Sequence, residues 1–161
     1  RLTRVTRHLR DRDRDRALAH VAGAVHDWAG GTRIGASFRE FNLRWARRTL
    51  RTSGVVIVVS DGWDRGDPAL VARETARLRR NCHRLIWLNP LAGVPGYQPI
   101  AGGMQAAHPF IDDFLPAGTV ANLERLGEIL AGLRGSDVRR GGEAAAAADA
   151  GARTGTWSGA R

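Results

Sequence analysis

Residues 55–67 read Val55-Val56-Ile57-Val58-Val59-Ser60-Asp61-Gly62-Trp63-Asp64-Arg65-Gly66-Asp67, with Pro68 following. Five β-branched residues without polar alternation predict a strand covered on both faces, the central strand of a parallel sheet. Ser60–Gly66 then reads as a loop. Asp67 ahead of Pro68 is an N-cap followed by proline at the first helical position, which starts a helix running to about Arg80.

Downstream, 81–88 (NCHRLIWL) is a second apolar strand that Asn89-Pro90 stops. A long loop rich in Gly and Pro follows, with a short helix near Gly103–Ala107. Phe110–Leu115 (FIDDFL) is a third strand, interrupted by Asp112 and Asp113. Leu123, Leu126, Leu130 and Leu133 place a closing helix from Thr119 onward.

Upstream, Ile34, Phe38, Phe41 and Trp45 fall at helical spacing and end near Leu50, after the turn Gly30-Gly31-Thr32. Leu18, Val21 and Val25 mark an earlier helix over 14–26, and residues 1–6 form at best a short edge strand. Strands separated by helices give an α/β class: a doubly wound, mostly parallel sheet with helices on both faces.

The chain has 161 residues, enough for one domain of ordinary size. That domain is expected over 1–134, and 135–161, an Ala/Gly/Arg-rich stretch with Trp157 its one large apolar residue, is expected to be a disordered tail. Within that stretch Ala144–Ala148 is too short for a stable helix. The longest apolar run is far below the roughly 20 residues of a membrane-crossing helix. A single cysteine excludes a disulfide framework. Unpaired Cys82 and the lack of secretory composition point to the cytoplasm.

Every one of the 25 basic residues is Arg, and the net charge is +9. The excess lies in residues 1–53, with thirteen Arg against five acids. Alternation over Arg10–Arg16 (RDRDRDR) largely cancels and reads as a solvated lead into a helix. No nucleic-acid-binding module accompanies the rest, so a basic face for an acidic protein partner stands beside nucleic-acid binding.

In open parallel sheets ligands collect beyond the carboxyl ends of the strands. Asp61 lies two residues past Val59, and Thr32 lies in a glycine-flanked turn ahead of a helix. A hydroxyl and a carboxylate held there can share one hard divalent cation, although Thr32 can equally cap its helix and Asp61 can serve the turn. Trp63 beside Asp61 is a candidate partner anchor, with Asp64 at the rim. Arg65-Gly66-Asp67 has a structural use in its capping Asp67, and adjacent Cys82 and His83 point to opposite faces of a strand and form no nucleophile–base pair. The other histidines show no ligand spacing.

GGTRIG, a helix, VVIVVSDGWDRGDP, another helix and HRLIWLNPL together resemble the von Willebrand factor A (VWA) fold, and more narrowly the CoxE-like proteins, from Arg1 to about Leu133. The resemblance implies a metal-ion-dependent adhesion site built from an Asp-x-Ser-x-Ser loop, a Thr and an Asp, the last two matching Thr32 and Asp61. The Asp-x-Ser-x-Ser loop has no match in this sequence, and the family's first strand and helix are expected upstream of Arg1. Mg²⁺ binding by this chain is therefore expected to be weak or absent without that loop, and marginal stability is expected for the isolated chain.

The resemblance further implies a non-enzymatic accessory that assists maturation of a molybdenum-containing carbon monoxide dehydrogenase beside a MoxR-type AAA+ ATPase. The chain carries no phosphate-binding G-x-x-x-x-G-K-[ST] loop of its own. An Asp-dependent phosphoryl-transfer hydrolase is the enzyme alternative. Ser60-Asp61-Gly62-Trp63 lacks the Asp-x-Asp that such enzymes need.

Overall fold

The computed structural model of the chain describes residues 2–25, 32–50 and 54–133. The expected tail, Trp28 and the Gly30-Gly31 turn lie outside the described residues. The chain divides into two compact units, Arg1–Gly118 and Thr119–Arg161.

In the first unit a short 3-10 turn, His8–Arg10, precedes α1 (Arg14–Ala24). Asp13 caps α1, its carboxylate accepting from the amides of Asp15 and Arg16. The described residues ahead of the turn form no strand, contrary to expectation. Instead the Val5 carbonyl accepts from the N–H groups of His8 and Leu9, folding the segment on itself. The apolar stripe from Ile34 forms α2 (Ile34–Arg44), breaks at Trp45 and resumes as α3 (Ala46–Thr49).

Strand β1 (Val55–Val59) leads into α4 (Pro68–Arg80), which Asp67 caps at the amide of Ala69. Then come β2 (Arg84–Asn89), α5 (Gly102–Ala107), a 3-10 turn at His108–Phe110, and β3 (Asp113–Pro116). All pairings are parallel, in the order β1-β2-β3, with Ile57 opposite Ile86 and Ile86 opposite Asp113. This is an α/β architecture.

The described sheet corrects the placement of the valine-rich strand. β1 lies at an edge, with Val59 64% exposed, whereas Leu85, Ile86 and Trp87 of β2 are fully buried between two partners. An all-apolar run reports tolerance of burial, while burial itself depends on how many neighbours pair with the strand. Asp112 and Asp113, which interrupt the third strand in the sequence, hold it in place. Asp112 accepts from the Leu85 amide at 2.7 Å and from Arg79 Nε at 2.9 Å, and Asp113 takes both arms of Arg84 at 2.6 and 2.9 Å.

One core cluster joins Ile34, Val71, Trp87, Met104 and Ala107, and a second joins Leu78, Cys82 and Leu85. Phe38 and Val58 pack against both clusters, and the Phe38 ring meets Trp87 edge-on at 6.1 Å. α2 packs along α4 and α4 against α5, so these helices carry the apolar face that meets the sheet.

In the second unit a helix, α6, spans 120–133. Its start is held by reciprocal bonds between Thr119 and Asn122. No described helix is long and apolar enough to cross a membrane.

Candidate metal and docking rim

The rim is built where β1 ends. The Ser60 amide donates to Leu88 O at 3.1 Å, continuing the ladder one residue past the strand, and Ser60 O accepts from the buried indole N–H of Trp87 at 2.8 Å. The next residues must turn sharply. Gly62 has φ +82°, a backbone conformation that side-chain-bearing residues rarely adopt, and its N–H donates to Ser60 Oγ. Asp61 follows the short-range habit of its residue type: Oδ1 accepts from the Trp63 amide at 2.9 Å.

Two elements seat this loop. A Cβ on Gly62 would lie 2.5 Å from Met104 Cβ, and one on Gly103 would lie 2.6 Å from Gly62 O, so the loop rests directly on the start of α5. From the other side Asn89, fully buried at the end of β2, donates through Nδ2 to Asp61 O at 3.3 Å and to the Tyr97 hydroxyl at 2.6 Å. Its Oδ1 accepts from the Leu91 amide. Sequence reasoning read Asn89 only as a strand stop. Its one sequence signal was an amide side chain ending an otherwise apolar strand at the ligand-binding edge.

The turn carrying Thr32 is joined to the same loop by two hydrogen bonds. The Arg65 amide donates to Thr32 O at 3.1 Å, and the Ile34 amide donates to Asp64 Oδ1 at 2.8 Å. The structure therefore brings the Thr32 and Asp61 segments to one rim. Asp64, which the sequence suggested for docking, turns inward: one oxygen serves the first amide of α2, and the other is buried with no partner among the described residues. The N-cap residue of α2 is Arg33, which makes no capping side-chain bond, so Asp64 and not Thr32 supplies the acceptor there.

Thr32 and Asp61 are both exposed, and Trp63 is 68% exposed beside them. A hydroxyl and a carboxylate are the hard oxygen donors that Mg²⁺ prefers. In kind the pair fits; in number it falls short of an octahedral set. Among the described residues no group of three or more His, Cys, Asp or Glu side chains could hold a metal ion. The bond from the Trp63 amide engages Oδ1 of Asp61.

The family model described as VWA domain containing CoxE-like protein matches residues 1–123. Neither the curated proteins nor the solved structures yield a match.

Proposed function

Because this chain belongs to the family of VWA-domain-containing CoxE-like proteins, we propose that it works through the rim at the end of β1, as a metal-dependent interaction module. A VWA accessory protein is the coarse reading that membership supports. The finer reading is a docking part for a MoxR-type AAA+ ATPase during maturation of a molybdenum-containing carbon monoxide dehydrogenase, in the cytoplasm and without catalysis of its own.

The observation that carries this reading is the pair of hydrogen bonds uniting the Thr32 turn with the Asp61 loop, with Trp63 presented beside them. Thr32 and Asp61 would supply two of the oxygen donors to Mg²⁺, which when bound offers an open coordination position to a partner's carboxylate. Trp63 offers a large apolar surface at low conformational cost, the property of an interface anchor.

Co-purification of the chain, extended upstream to include an Asp-x-Ser-x-Ser loop, with a MoxR-type ATPase tests the proposal. Capture that needs Mg²⁺ and is lost with EDTA, with Asp61→Ala and with Trp63→Ala is the expected result. Capture indifferent to all three would overturn it. Turnover of a phosphate ester that disappears in Asp61→Ala would favour the hydrolase reading instead.

A further inference from the structure

A second surface lies on the outer side of the helical layer, where α2 runs beside α4. Arg39 and Leu43 of α2, with Arg73, Glu74, Arg77 and Arg80 of α4, line an open groove of about 470 Å³. Arg73, Arg77 and Arg80 stand at i, i+4 and i+7, so they share one face of their helix. Four guanidiniums therefore meet across the groove against a single carboxylate, Glu74. Glu74 is 95% buried, and its carboxylate already accepts from Asn42 Nδ2 at 3.1 Å, with Arg73 Nε 3.7 Å away.

Some described arginines find acids: Arg16 with Asp11, Arg44 with Glu40, Arg79 with Asp112, Arg84 with Asp113 and Arg125 with Glu128. Other described arginines outside the groove, Arg47 and Arg65 among them, form no ion pair, so it is the gathering of four in one groove that sets these apart. Among the described residues Arg39, Arg77 and Arg80 have no ion-pair partner. Favourable interaction with the negative end of the α4 dipole accounts for basic residues in its last turn, Arg77 and Arg80. It does not account for Arg39 on a different helix or for Arg73 near the middle of α4. Like charges gathered across a groove repel one another, and an anionic ligand removes that cost.

We propose that the α2–α4 groove docks an acidic segment of a protein partner. Leu43, 59% exposed in the groove, favours a peptide over a nucleic acid, because it can meet an apolar side chain interleaved among carboxylates. The groove is distinct from the metal rim. Ser60–Asp67 lies beyond the start of α4, and the 13-residue helix extends about 20 Å from there toward Arg80. The proposal stands independently of the reading of that rim.

Fluorescence anisotropy of the full chain with a short fluorescein-labelled peptide of Glu and Leu tests it, in EDTA so that no divalent cation contributes. Binding weakened by salt is expected, with a loss of about tenfold or more for Arg39→Glu with Arg77→Glu and less than about twofold for Arg47→Glu with Arg125→Glu, which changes net charge equally outside the groove. Circular dichroism confirms folding, and Arg39→Gln with Arg77→Gln reports the same loss without adding like charges to acids. No binding, an equal loss in both reversed pairs, or tighter groove-dependent binding of duplex DNA or of anionic phospholipid vesicles would overturn the proposal.

Discussion

The Asp64 carboxylate accepts the backbone N–H of Ile34, thirty residues earlier in the chain, at 2.8 Å. Through that bond one side chain of the β1–α4 loop both starts α2 and fixes the Thr32 turn against the loop of Asp61.

Removing the acceptor leaves the amide of Ile34, a residue only 4% exposed, without a partner. Asp64→Ala is expected to destabilise the fold by about 1–2 kcal/mol, read as a lower denaturant midpoint with an unchanged slope. Asp64→Asn keeps an acceptor oxygen and should recover part of the loss. An Asp64→Ala midpoint equal to wild type would show that water replaces the carboxylate at no cost.

The contact of the rim loop with α5 tolerates no added carbon. Gly62→Ala would place Cβ 2.5 Å from Met104 Cβ at φ +82°, and Gly103→Ala would place it 2.6 Å from Gly62 O and 2.8 Å from Asp64 Cβ. Each should cost roughly 2–4 kcal/mol in chemical denaturation, because backbone atoms would have to move. Gly96→Ala is the contrast. Gly96 also has positive φ, but nothing lies within 4 Å of its added Cβ, so only the backbone term of about 1 kcal/mol is expected.

Asp11 gives a pH-dependent signal in an exposed part of the chain. Its hydrogen bond from Arg16, at 2.6 Å to Nε, and then the Asp13 amide hold its carboxyl pKa down at about 2, against an ordinary 3.8. A carboxyl depressed in the folded state contributes stability above its unfolded value and loses that contribution as pH falls from about 3.8 through about 2. An NMR titration of the Asp11 side-chain carbon should show its midpoint near the lower figure, and Arg16→Ala should move it toward the upper one. A midpoint unmoved by that substitution would remove Arg16 as the cause.

Burial pushes the Cys82 thiol pKa up, opposed in part by nearby Arg79 and reinforced by Asp112. Because the thiolate is the reactive form, native Cys82 should react with a disulfide reagent at pH 8 at least about a hundredfold more slowly than after unfolding. Comparable rates in the two states would show that the second core cluster opens readily.

Much of the local structure was legible in the sequence. Asp67-Pro68 marked the start of α4, the Ile34–Trp45 stripe marked α2, and Asn89-Pro90 marked the end of β2. These are local signals, since capping, proline geometry and helical spacing act within a turn or two of chain. Asp61 could be named just past the carboxyl end of a strand, and Thr32 in the turn ahead of a helix, for the same reason.

The sequence could not say which strand lies in the middle of the described sheet, because β1 and β2 are both apolar runs and pairing order is a property of neighbours. Nor could it reveal that Asp64 faces inward to α2, that Asn89 holds the rim, or that Asp112 and Asp113 secure the third strand. Each of those polar groups is defined by a partner 27 to 30 residues away in the chain. Residue type and spacing determined the helices, the strands and the chemistry available at the rim. Tertiary structure alone decided which oxygens were taken by backbone amides and which stayed open, because a distant donor competes for an acceptor only once folding has brought it within hydrogen-bond reach.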